Sequence, residues 1–244
     1  MSVLNDKIIK YQKKLLLNYD TKKKQVYLKK MNYYTNMIGG SQDNKHNVVA
    51  LIQLIVKPEN RKDMINILLD IMQRDIIHYS KSIPGAFYIL SKWKTESDMD
   101  EYLQNFSQNL IPKLTSYIVA QPTISRARML SQQSSSISSH INNSNAFALI
   151  PFFYIIPNAI ETVKEAHLSV VDSTRKEPGC LEYDLYQLID NPAIMFFYEN
   201  WSGTEALSTH MNTSNFYRVV RGQVDKQLLV PWTALELEIV NIKK

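Results

Sequence analysis

Residues 177–201 read EPGCLEYDLYQLIDNPAIMFFYENW, and the rest of the fold can be worked outward from them. Two aromatic-rich runs flank an Asp190-Asn191-Pro192 turn, and a Pro178-Gly179 pair opens the first. Such runs bounded by Gly, Pro, Asn and Asp predict a β-hairpin. Strand alternation puts Phe197, Glu199 and Trp201 on one face of the second run, and Phe196, Tyr198 and Asn200 on the other. Both faces are aromatic, so alternation leaves open which one meets helices and which an interior. Upstream, AFALIPFFYIIPNA reads as a strand ending at Pro157. Ile160, Val163, Ala166, Val170 and Val171 then fall on one helical stripe, with Asn158 and Glu161 spaced as a capping box. Downstream, His210 lies on a second helical stretch, and Pro231 introduces a last strand. The order β-α-β-β-α-β is the split βαβ, or ferredoxin-like, plan.

The same unit is written earlier in the chain. NVVALIQLIVKPEN is a strand ending at Pro58, followed by a helical stripe of Met64, Ile65, Leu68, Ile71, Met72, Ile76 and Tyr79. Pro84-Gly85 parallels Pro178-Gly179, Trp93 parallels Trp201, and Pro122 parallels Pro231. The offsets are 94, 108 and 109 residues. The change of 14 between the first two places a shortened or missing β2–β3 hairpin in the first copy, with Trp93 away from the position of Trp201. Between the copies, residues 131–145 hold seven Ser and three Asn, the composition of a flexible linker. The predicted organisation is a basic helical extension over 1–45, a degenerate repeat over 46–130, the linker, and a second repeat over 146–244. The fold class is α+β. One face of each ferredoxin-like sheet is covered by its helices and the other must also be buried, so the two repeats are expected to pack sheet to sheet as an intrachain pseudo-dimeric barrel.

Charge separates the extension from the body. The net charge is +5, but residues 1–45 alone carry ten Lys and three Asp, leaving the remainder near −2. Leu4, Ile8, Tyr11 and Leu15 give the extension an amphipathic pattern, suited to packing on the body or to meeting an acidic partner or an anionic membrane surface. The nearly neutral body offers no nucleic-acid face. No apolar run is long enough for a membrane span, no signal peptide is evident, and the single Cys180 fits a reducing, cytoplasmic setting. The six glycines match neither dinucleotide nor phosphate cradles, and HExxH, paired CxxC and GxSxG are absent. No cofactor or metal is therefore expected.

The combination of EPGCLEY, FFYENW and the helix carrying His210 resembles the antibiotic biosynthesis monooxygenase family of the dimeric α+β barrel superfamily. The resemblance covers most of 146–242. The first repeat shares only the outline: Tyr102 stands where His210 would be, and Glu199 has no clear counterpart. The resemblance implies a barrel of paired ferredoxin-like sheets. It also implies cofactor-independent oxidation of a small phenolic or quinol-type aromatic molecule by O2. Other relatives degrade haem, a use for which the run 151–156, PFFYII, supplies no Asn. Fold alone decides little here, so a non-catalytic binding or structural barrel stands as the alternative.

The site residues follow from that resemblance. His210 would take the proton of a bound phenol, Asn200 would orient a phenolic oxygen or dioxygen, and Trp201 would form an aromatic wall. Tyr183, Glu199, Tyr154 and Tyr217 are the expected substrate-binding residues. A carboxylate such as Glu199 in a half-buried strand needs a partner or a task. His46, His78, His140 and His167 show no ligand spacing and are expected to be structural or exposed. Further association of the pseudo-dimer into a homo-oligomer is left open.

Overall fold

A computed structural model describes residues 47–72, 75–132 and 145–240, together with Lys10. The chain divides after Lys45. The expected helix of the extension and most of the linker, residues 133–144, lie outside the described residues.

The body runs β1 (Val48–Ile55), α1 (Arg61–Ile71), β2 (Ile76–Ser80), β3 (Ala86–Trp93), α2 (Glu96–Asn105) and β4 (Thr123–Met129). It then repeats as β5 (Phe147–Tyr154), α3 (Ile160–Thr174), β6 (Cys180–Leu188), β7 (Ile194–Trp201), α4 (Thr204–Met211) and β8 (Thr233–Ile239). After α2 and α4 the chain continues in π-helical turns, Phe106–Leu110 and Phe216–Val224. The two β-α-β-β-α-β units are the ferredoxin-like repeats expected from the sequence.

The eight strands close into one antiparallel barrel in the order β1-β3-β2-β8-β5-β7-β6-β4. Each repeat contributes four neighbouring strands. The two sheets join at both edges, β4 to β6 and β2 to β8. Closure leaves no free sheet edge. Three apolar layers follow. Val49, Leu51, Tyr88, Ile150, Tyr186 and Phe196 fill the barrel interior from both repeats. Met64 and Leu68 of α1 pack on the outer face of the first sheet, and Val163, Val170 and Val171 of α3 on that of the second.

Four local readings are corrected. Residues 76–80 are not the end of a helix but strand β2, because Ile76, Ile77, His78 and Tyr79 pair with β3 from Leu90 to Phe87. The hairpin is therefore present in the first repeat, shortened to five residues against nine in β6. Pro84-Gly85 lies in its turn, whereas Pro178-Gly179 precedes β6, so the two pairs are not equivalent. Trp93 does occupy the position of Trp201: Val48 faces Trp93 in one repeat and Phe147 faces Trp201 in the other. Asn158 forms no capping box, since a 3-10 turn over Pro157–Ala159 leads into α3 and no side chain caps it. Thr95 does cap α2, its hydroxyl accepting from the Asp98 N–H at 3.1 Å.

Candidate functional site

β7 holds the centre of the site by alternation. Phe197, Glu199 and Trp201 face outward toward α3, α4 and the π-helical turn, while Phe196, Tyr198 and Asn200 face the barrel interior. Across the outer face, Glu199 is opposite Leu149 of β5 and Tyr183 of β6. α4 brings His210 onto the same surface. Its ring lies 4.8 Å from that of Trp201, 5.6 Å from that of Tyr183 and 5.4 Å from that of Phe216.

Two hydrogen bonds orient the polar groups. His210 Nδ1 is 2.7 Å from Glu177 Oε2; a carboxylate can only accept, which places the proton on Nδ1 and the ring lone pair on Nε2. The Trp201 indole N–H donates to Glu199 Oε2 at 2.8 Å. Burial then sets the charge states. It lowers the His210 pKa, opposed by the nearby Glu177 carboxylate. It pushes the Glu199 carboxyl up to about 8, with the Trp201 bond opposing and Glu177 assisting. The Tyr183 hydroxyl is held well above its ordinary value, first by burial and then by Glu199, and the Cys180 thiol is pushed up to about 12 by burial. Near neutral pH the site therefore presents a neutral base, His210, and a protonated acid, Glu199.

These groups border a cavity of about 20 Å³, lined mainly by carbon from Leu149, Phe153, Phe197, Met211, Phe216 and Trp232, with Tyr183, Glu199 and His210 as its polar groups. That volume holds about one water-sized molecule. It does not hold an aromatic ring in the arrangement seen. Among the described residues no cluster of His, Cys, Asp and Glu is placed to bind a metal ion.

Of the seven residues expected from the sequence, four come together: His210, Trp201, Tyr183 and Glu199. Asn200 is separated from them by the sheet itself. It points into the barrel, where its side-chain amide donates to Glu182 Oε2 at 2.8 Å. Tyr154, 39% exposed at the end of β5, and Tyr217, 56% exposed, are not among the residues lining the cavity. Glu177 was the residue overlooked; its signal was an acid directly before the Pro178-Gly179 turn, at the mouth of the hairpin. His167, expected to be structural or exposed, is fully buried on α3. It packs between Phe153 and Phe197, and neither ring nitrogen has a hydrogen-bond partner.

The first repeat keeps the outline of this constellation with other residues. Trp93 and Tyr102 stand 4.8 Å apart, as Trp201 and His210 do. The Trp93 N–H donates to Ser91 Oγ, Ser91 donates to Asp75 Oδ1, and the Tyr102 hydroxyl donates to Asp75 Oδ2. Ser91 is thus the counterpart of Glu199, and no imidazole is present there.

The family model described as antibiotic biosynthesis monooxygenase matches residues 146–222. Among solved structures, a candidate monooxygenase from Fusobacterium nucleatum is similar over 82% of this chain and 94% of its own, at 13% identity and a TM-score of 0.64. An anthrone oxidase-like protein is similar over 80% of this chain and 92% of its own, at 10% identity and a TM-score of 0.61. These likenesses bear on the fold. An antibiotic biosynthesis monooxygenase is 30% identical over 38% of this chain and 96% of its own, with a TM-score of 0.36. No curated protein matches the chain.

Proposed function

The chain belongs to the antibiotic biosynthesis monooxygenase family through residues 146–222, and we propose that its second repeat oxidises a small phenolic or quinol-type aromatic molecule with O2. The observation that carries this reading is the imidazole of His210, oriented by Glu177 and bordering the same cavity as Glu199, whose carboxyl burial pushes up to about 8. His210 takes the phenolic proton at Nε2, and the phenolate passes an electron to O2. Trp201 fixes the orientation of Glu199, which is placed to return a proton to a reduced oxygen. For an activated methylene the reaction balances without another reductant: R₂CH₂ and O2 give R₂C=O and H₂O, all four electrons coming from the substrate. The first repeat completes the barrel and carries no base equivalent to His210. A ring substrate requires Met211, Phe216 or Trp232 to swing out of the cavity.

The test is O2 consumption with a panel of hydroquinones, polycyclic phenols and anthrone-type ketones, for the parent chain and for His210→Ala. Turnover that His210→Ala abolishes supports the reading. No turnover across the panel, or turnover indifferent to His210→Ala, rejects it. The small cavity favours a second reading, a non-catalytic barrel whose site is filled by its own side chains; it predicts no turnover together with no binding of any panel member by calorimetry.

A further inference from the structure

The barrel interior holds a polar cluster that the proposed chemistry does not use, and its members come from both repeats. Lys92 of β3 forms an ion pair with Glu182 of β6 and lies 3.7 Å from Asp184 Oδ2. Its ammonium also sits 5.3 Å from the centre of the Tyr198 ring. His78 of β2 donates from Nδ1 to the Tyr88 carbonyl (3.1 Å), and its Nε2 accepts from the Tyr198 hydroxyl at 2.9 Å. Glu182, Asp184, His78 and Tyr198 are all at most 2% exposed.

The strand registers show which residues are equivalent in the two repeats. Trp93 and Trp201 match, so Lys92 corresponds to Asn200 and Leu90 to Tyr198. Ile76 faces Leu90 as Asp184 faces Tyr198, so Ile76 corresponds to Asp184. His78 likewise corresponds to Tyr186. The repeats thus differ at these interior positions: lysine against asparagine, isoleucine against aspartate, histidine against tyrosine.

We infer that these differences make the pairing heterotypic: the barrel face of the second repeat fits the first repeat of this chain and rejects a second copy of itself. Two second repeats placed together would bury Glu182 of each against Asn200 of the other, with no cation. Asp184 would keep Arg175, which donates to its Oδ1 at 2.7 Å from within the same repeat. Glu182 has no cation among the contacts described for its own repeat, which reach it through the Asn200 amide and through Asp184. A buried carboxylate without its cation is strongly disfavoured, and a desolvated polar group left without its partner is one way an interface rejects the wrong partner.

Cysteine pairs in the full chain, in a Cys180→Ser background, report which repeats meet. Arg128 faces Gln187 across the β4–β6 seam, so Arg128→Cys with Gln187→Cys closes within one chain when the first repeat meets the second. Glu238 is the second-repeat equivalent of Arg128, so Gln187→Cys with Glu238→Cys closes between two chains only when second repeats meet. After unfolding and refolding at high protein concentration, the parent is expected to give the first crosslink and not the second. Lys92→Met with Asn200→Lys moves the cation into the second repeat and is expected to raise the second crosslink at the expense of the first. An unchanged ratio in that variant overturns the inference, as does an interchain crosslink in the parent. Should that variant fail to fold, stability decides. Lys92→Met alone must lower the urea midpoint, and adding Glu182→Gln must restore most of it; a Lys92→Met chain as stable as the parent overturns the inference.

Discussion

Replacing Glu199 by glutamine tests the charge state on which the candidate site depends. The carboxyl is 4% exposed and pushed up to about 8 from an ordinary 4.5. Between those values the folded chain keeps a proton that the unfolded chain has released. Folding stability therefore falls as pH rises through that interval, by about 1.4 kcal/mol per pH unit and by at most roughly 5 kcal/mol in all. The contribution is intact below the unfolded value and lost above about 8. A glutamine there would keep an acceptor for the Trp201 N–H and the volume of the side chain, so the substitution removes the titration and little else. The assay is urea unfolding of the parent and of Glu199→Gln from about pH 5 to about pH 9, the two profiles being subtracted because Glu182, pushed up to about 7 mainly by burial, adds its own slope to both. Glu199→Gln is expected to be the more stable chain at the alkaline end by several kcal/mol, on the order set by that slope. It should lose this advantage at the acid end. Parallel profiles would mean that Glu199 ionises as an ordinary carboxyl, and the reasoning that makes it a proton donor would fail with them.

Three further outcomes are expected. Gly85→Ala and Gly179→Ala should both lower the melting temperature, because each glycine has positive φ, +79° and +83°, and the added Cβ would lie 2.2 Å from the Val56 carbonyl oxygen or 2.5 Å from Ala206 Cβ and Ser202 Oγ. Gly85→Ala should be the worse, since backbone cannot rotate away as Ser202 can; equal melting temperatures to the parent would refute the clash. His167→Leu should be neutral or stabilising by up to roughly 1–3 kcal/mol, because it removes two buried nitrogens without partners. It should also flatten the loss of stability on acidification that arises because burial lowers the folded pKa of His167 to about 3; a clear destabilisation at neutral pH would contradict this. Glu177→Gln should move the His210 pKa further down, since the carboxylate is what opposes burial there, and a histidine NMR titration showing no shift or a rise would refute the pairing.

The parts of the fold that were legible in the sequence are those where one local rule acts. The Asp190-Asn191-Pro192 turn between two alternating runs gave the hairpin, and the prolines before β4 and β8 marked the last strands of both repeats. Matching Pro84-Gly85 to Pro178-Gly179 failed for a reason the backbone makes plain. Both glycines adopt positive φ, but one closes the β2–β3 turn and the other enters β6, so the same turn chemistry serves two different corners. The short run 76–80 then fitted a helical stripe as well as a strand, and five residues are too few for periodicity to arbitrate. The site divides along the same line. His210, Trp201, Tyr183 and Glu199 meet because they share one face of the second sheet or the helix above it. Asn200 was grouped with Trp201 by adjacency in the motif, although strand alternation alone places neighbours on opposite faces. Pairings across the closed barrel lay beyond any local rule. Lys92 and Glu182 are 90 residues apart on strands that are not neighbours in the barrel, and only closure of the eight strands brings the lysine to the acids.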